Sequence, residues 1–130
     1  MDQPEFQAPV LAALAAAFCR RAKAIRYHGN ISLAREIDAD DERLNFDYTG
    51  TSKLHLRLSV WSTGDLWFLA CQRGSGRNGG WRFKYQVSGQ VADRPPASIV
   101  ESFEASMLVG HWYAGEQLSK LQKIWQAIVP

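Results

Sequence analysis

The 130-residue chain is 46% apolar and 22% charged, and its 12% aromatic content includes five Trp. That composition excludes an intrinsically disordered chain, and the length is enough to bury roughly two thirds of the unfolded surface without cross-links or a structural metal. Net charge is only +2, yet residues 31–50 hold two basic and six acidic side chains while residues 51–94 hold seven basic and two acidic, an asymmetry that bears on partners more than the total does.

The first element reads as a helix over Pro9–Arg26. Phe6, Val10, Leu14, Phe18 and Ile25 recur near helical spacing with alanines between them, and Arg20, Lys23 and Arg26 sit toward the C-terminal end, where cations complement the helix dipole. Residues 10–19 form an apolar run, but Asp2 and Glu5 stand where a signal peptide has positive charge, and the run is too short to cross a bilayer. A cytoplasmic protein with no membrane contact is therefore expected. Gly29 reads as the C-terminal cap of the helix.

Ile31, Leu33 and Ile37 alternate, so residues 30–38 are read as a strand, although Ala34, Arg35 and Glu36 would also suit a short helix. Residues 38–42 read as an acidic turn, and Leu44, Phe46 and Tyr48 alternate with Asn45 and Asp47 as a half-buried strand does. After a turn at 49–52 comes the plainest strand of the chain. Leu54, Leu56, Leu58 and Val60 face one side there, and His55, Arg57 and Ser59 the other. Residues 62–65 make a hairpin turn, and 66–71 are apolar on both faces, which predicts a central strand covered on both sides. A long loop at 73–80 leads to a strand with Trp81, Phe83, Tyr85 and Val87 opposite Arg82, Lys84 and Gln86. Pro95-Pro96 precedes a helix over 97–109, with Ser98 and Glu101 at capping-box spacing and Ile99, Phe103 and Met107 in one stripe. In the last helix Leu118, Leu121, Trp125 and Ile128 mark one face, and Glu116 and Lys120 are spaced to pair. The expected fold is a single α+β domain over residues 1–130: an N-terminal helix, a four- to five-stranded antiparallel meander and two C-terminal helices. If the helices share one face of the sheet, Leu14, Phe18, Phe103, Leu121 and Trp125 cover it and the other face is open.

Gly74, Gly76 and Gly79 satisfy the dinucleotide fingerprint G-x-G-x-x-G, but the pyrophosphate needs a following helix N-terminus, and here a strand follows. No cofactor is expected. The same hairpin carries Arg73 and Arg77 with Arg82 and Lys84 just beyond. With Arg57 and His55 on a neighbouring strand and Trp61 and Trp67 available to stack, this suits single-stranded nucleic acid on an open sheet face, or the acidic surface of another protein. The plainer alternative is that Arg57 and Lys84 pair across strands with Asp47. Asp38, Asp40, Asp41 and Glu42, with Asp47 beyond, lack the EF-hand spacing and suggest a solvated turn or an acidic docking patch, not a metal site. Trp112 and Tyr113 either offer an aromatic hot spot to a protein partner or cap the core.

Cys19 and Cys71 are the only cysteines and are expected as buried thiols, with a disulfide left open. His28, His55 and His111 lie on different elements, so a Cys-His site would have to be assembled by the fold, and no catalytic residue is assigned. The first functional expectation is a non-enzymatic binding protein that engages an anionic partner. The second is an inhibitor or immunity-type protein acting through its acidic turn or aromatic loop, and the third a hydrolase without a readable motif. A homo-oligomer is left open.

Overall fold

The structure, a computed structural model, describes residues 3–50, 53–74, 80–112, 114–126 and 128. Helix α1 (Pro9–Arg26) leads into five strands, β1 (Gly29–Asp38), β2 (Asp41–Gly50), β3 (Leu54–Trp61), β4 (Asp65–Arg73) and β5 (Trp81–Gln90). Helix α2 (Pro96–Ser106), a 3-10 turn (Met107–His111) and helix α3 (Ala114–Gln126) follow. The strands pair in chain order as one antiparallel meander, β1-β2-β3-β4-β5. The α+β fold read from the sequence is the fold observed.

All three helices pack on the sheet face lined by Leu44, Phe46, Leu56, Leu58, Val60 and Phe68, and an aromatic cluster joins them to it. Phe18 of α1 stacks on Phe46 of β2 with ring centroids 3.9 Å apart, and Trp125 of α3 stacks on Phe68 of β4 at 4.1 Å. Phe103 of α2 presents its ring edge-on to Phe18, Phe46 and Phe68 at 5.5, 5.1 and 6.2 Å. Such pairs add about 1 kcal/mol each beyond the area they bury. Because the helices cover one face only, Trp67 and Leu69 of β4 point to the open side. The expectation of a strand covered on both faces is thus corrected: β4 is interior to the sheet but its odd positions are shielded only by neighbouring side chains.

The acidic segment is a strand more than a turn. Ala39 and Asp40 alone make the connection, both with positive φ (49° and 72°), and Asp38 and Asp41 form the closing pair, as in a two-residue hairpin whose twist matches its strands. That register sends residues 42, 44, 46 and 48 inward, so Glu42 lies in β2, only 6% exposed. Its carboxylate accepts hydrogen bonds from the backbone N–H of Gln7 (2.9 Å to Oε2) and Ala8 (2.8 Å to Oε1) and is paired with Arg35. These N–H groups lie where the chain enters α1, which has no side-chain cap of its own; a strand residue thus supplies the acceptor that the helix start lacks.

Other local readings change for equally specific reasons. Gly29 opens β1 instead of capping α1. A Cβ there would meet the Thr49 carbonyl oxygen at 2.5 Å and the Tyr48 ring at 2.8 Å, and the Tyr48 hydroxyl donates to the His28 carbonyl beside it at 2.9 Å. Helix α2 has no capping box, because its N-cap is Pro95 and the Ser98 hydroxyl donates to the Pro95 carbonyl. In α3 the inward position belongs to Gln117 and not to Leu118. Gln117 Nε2 donates at 3.0 Å both to Gln72 Oε1 of β4 and to the Val109 carbonyl, and the stripe runs on through Leu121, Trp125 and Ile128. Ser106, also fully buried, accepts from Trp125 Nε1 at 2.9 Å. Cys19 and Cys71 are free thiols.

Burial is the largest influence on Glu42 and pushes its pKa up, but the Ala8 and Gln7 amides and Arg35 together outweigh it, leaving the carboxyl below its ordinary value of 4.5. A depressed carboxyl stabilises the fold fully above the unfolded-chain value, and that contribution is lost as pH falls through the folded one. Glu42→Gln should therefore lower Tm by about 5 °C near pH 7 and flatten the acid side of the Tm profile below pH 4.5. Thermal melts followed by circular dichroism between about pH 3 and pH 7 check both; a variant melting like the wild type would remove this clamp.

Candidate sheet-face interface

The strand registers order the open face into rows. One row runs Thr49, His55, Cys71, Lys84; the next Asp47, Arg57, Leu69, Gln86; the next Asn45, Ser59, Trp67, Ser88; and Arg43 stands opposite Trp61 beyond them. On the β1–β3 half the cations are engaged. Arg57 donates to both Asp47 oxygens at 2.8 and 3.2 Å, and the hydrogen bond to Asp47, the largest influence, raises its pKa further. Arg43 pairs with Glu36 and approaches Asp38 at 3.7 Å. Lys84 does not reach Asp47, which lies three strands away, and among the described residues it makes no ion pair.

Along the strands the charges separate. At the end with the Ala39–Asp40 turn, the 62–64 turn and the exit from β5 lie Asp38, Asp40, Asp41, Asp65 and Asp93, with Arg43 and Arg94 among them. At the opposite end lie Lys53, Arg73, Arg82 and Lys84, joined by Lys23 and Arg26 in the last turn of α1. Lys120 of α3 also belongs there, with its ammonium 5.2 Å from the centroid of the Trp112 ring and away from the expected pairing with Glu116. Arg82 is the extra residue of a β-bulge, since Gln72 pairs with Phe83 and Arg73 with Trp81. Its Nη2 donates to the Trp112 carbonyl at 3.3 Å, tying the hairpin to the segment before α3. Sequence reading missed Lys53 and Lys120, because their membership in this end depends on pairings between distant elements.

The aromatic candidates fall in different places. Trp67 is half-buried in the middle of the open face, and Trp61 carries the Arg43 guanidinium 5.6 Å over its ring, a cation–π contact that occupies one side. Trp112 is half-buried and packs against the core. Arg77, in the Gly-rich loop, and Tyr113 lie outside the described residues. Of the acidic candidates, Asp38, Asp40 and Asp41 are exposed, Asp47 is held by Arg57, and Glu42 is turned inward.

The fold also brings a cysteine and a histidine together. Cys71 stands directly opposite His55, and His55 Nε2 is 3.5 Å from Asp47 Oδ1. The chemistry of a thiolate is nonetheless not set up. Cys71 is 5% exposed, and burial raises its pKa against the opposing pull of Lys84 and Arg73. His55 Nδ1 lies 3.4 Å from Thr49 Oγ1, so both ring nitrogens face oxygen atoms. A nucleophile needs the opposite arrangement, an accessible thiol with its base in hydrogen-bond reach. Among the described residues no three His, Cys, Asp or Glu side chains converge as metal ligands would, and no helix is long and apolar enough to cross a membrane.

Comparison with protein-family models, curated proteins and solved structures finds no match to this chain.

In the native protein Cys71 should be alkylated by iodoacetamide at least about tenfold more slowly than in the urea-unfolded chain. Peptide mass spectrometry after timed labelling measures it, and equal rates would show an accessible thiol.

Proposed function

We propose that this chain is a non-enzymatic binding protein that takes an anionic partner, single-stranded nucleic acid, on its basic end and the adjoining open sheet face. The separation of charge along the strands carries this reading: cations converge at one end of the sheet from β4, β5, the turn before β3 and two helices, while Asp47 and Glu36 are already taken up by arginines. Trp67, flanked by Ser59 and Ser88 in the middle of the open face, offers a stacking surface that tolerates any base, and Lys84 and Arg73 lie along β5 and β4 from it to meet phosphates. An acidic protein surface would meet the same cations but leave Trp67 without a stacking partner. Two free thiols suit a reducing compartment, and the cytoplasm is the compartment this reading assumes.

About three neutralised phosphates imply a roughly twentyfold loss of affinity for a single strand between ~50 and ~200 mM salt. Fluorescence anisotropy with short DNA and RNA strands should show that dependence, and Lys84→Gln should weaken binding and reduce the salt slope by about 0.7. Trp67→Ala should weaken binding without changing the slope. Absence of binding at low salt to any strand, with retained binding to polyglutamate, would replace nucleic acid by an acidic protein as the partner.

An inhibitor or immunity-type role has one specific observation behind it: exposed Ile37 stands beside Asp38, Asp40 and Asp41 at the β1–β2 hairpin, an apolar point set among carboxylates. Under that reading Asp40→Lys with Asp41→Lys abolishes a stoichiometric complex with a basic partner enzyme.

A further inference from the structure

The two edges of the sheet differ. β5 is interrupted by the bulge at Arg82 and lies under α3. β1 pairs with β2 without interruption along its whole length, contains no proline, and has no buried residue. The Asp38–Asp41 pair closes a two-residue turn with positive φ at Ala39 and Asp40, so those two residues exchange backbone hydrogen bonds, and bonding alternates along the strand from there. Residues 30, 32, 34, 36 and 38 bond to β2. The N–H and C=O groups of Ile31, Leu33, Arg35 and Ile37 therefore point away from the sheet, a row of main-chain donors and acceptors that a further strand completes. The charges that usually blunt such an edge are already taken: Arg35 pairs with Glu42, and Glu36 with Arg43.

This edge is complementary to itself. Ile31, Leu33, Arg35 and Ile37 share the helix side of the sheet, because they stand opposite Tyr48, Phe46, Leu44 and Glu42. Two β1 strands running antiparallel about Ala34 set Ile31 of each copy against Ile37 of the other, so the 58% exposed Ile37 gains an apolar cross-strand neighbour in both copies. Asp38 then falls opposite Asn30 and Glu36 opposite Ser32, and no two like charges face each other directly. The two Arg35 side chains lie diagonally, each held by its own Glu42. Centring on Leu33 instead sets Ile31 against Arg35 and Ile37 against Gly29, which forfeits both apolar pairs.

The helix layer fits the same arrangement. α1 starts over β2, where Glu42 holds its entry, and ends beside Gly29 of β1. It thereby leaves a hollow of about 660 Å³ above the acidic half of β1, lined by Glu5, Phe6, Ala12 and Arg35 among others. Arg20 and Arg21 line a groove shared with α2, whereas Lys23 and Arg26 fall at helical spacing on the flank of Ala12, which is turned toward β1. Antiparallel pairing brings the last turn of α1 in one copy beside the hollow and hairpin of the other, so exposed Lys23 and Arg26 approach exposed Glu5 and Asp40.

We infer that this chain forms a two-fold symmetric dimer by antiparallel pairing of β1 with β1 of a second copy, which joins the two five-stranded sheets into one. The axis passes between the two Ala34 residues, normal to the sheet. The contact uses the same surface on both copies, so it closes at the dimer and leaves no β1 edge free. The helices of both copies lie on one side and both open faces on the other, and the dimer does not rest on the binding reading above.

Sedimentation or light scattering of the intact chain at about 0.1 mM should give about twice its 14.6 kDa mass, with no growth beyond the dimer on further concentration. Ile37→Pro removes an outward N–H that has no bond within the subunit, so it should give monomer with an unchanged circular dichroism spectrum. Cross-linking under oxidised glutathione reads the register independently of that variant. Ala34→Cys faces itself across the axis at the separation a disulfide needs and should form a covalent dimer. The Ser32→Cys and Glu36→Cys proteins should each fail to link alone yet link to each other in an equimolar mixture, with peptide mass spectrometry separating these bonds from any made by Cys19 or Cys71. A wild-type chain that stays at 14.6 kDa overturns the inference, as does a dimer that Ile37→Pro leaves intact, or one in which Ala34→Cys forms no covalent link.

Discussion

The ring of Phe103 is the point on which the three helices and the sheet agree. Its edges reach Phe18, Phe46 and Phe68, and these in turn carry α1, β2 and β4, with Trp125 of α3 stacked on the last of them. Removing such a ring from a closed core costs about 3 to 5 kcal/mol, a large share of the 5 to 15 kcal/mol that separates a folded domain from its unfolded chain. Because every helix is recruited to this cluster, every helix lies on one side of the sheet. The open face is therefore a consequence of the core.

Polar side chains complete what the apolar ones begin. Gln117 and Gln72 hold α3 to β4 from within the core, and Ser106 satisfies the buried Trp125 indole. Burying such groups is costly unless they are bonded to one another, so these contacts discriminate against alternative packings more than they add net stability. Glu42 does the same for α1. It ties the entry of the helix to the second strand, and in doing so it removes a charge from the acidic surface expected there from the sequence.

The open face and the two ends divide the remaining charges by physical circumstance. On β2 and β3, where antiparallel pairing sets Asp47 against Arg57, the charges neutralise each other at small net gain, as exposed pairs do. On β4 and β5 no carboxylate stands in register with Lys84, so that half of the face keeps its positive sign. A meander returns the chain to the same end of the sheet at every second turn, and this alone gathers Lys53 and Arg73 at one end and Asp40 and Asp65 at the other.

The alternation of Leu54 to Val60 and of Phe83 to Val87, and the apolar stripes of the helices, were legible in the sequence because the period of a strand or helix is written in neighbouring residues, whereas the bulge at Arg82 that interrupts the pattern read from Trp81 was not. Element order, fold class and the core set Phe18, Phe68, Phe103 and Trp125 followed from that alone. What only the tertiary structure decided were relations between residues far apart in the chain: Glu42 with Ala8, Cys71 with His55, Gln117 in the place expected of Leu118, and the charge of each end. These depend on turn geometry, because a two-residue connection at Ala39 and Asp40 sets which side of β2 is inward, and a shift of one residue exchanges the faces. Local pattern thus determined which elements form, and register and packing determined which of their side chains meet.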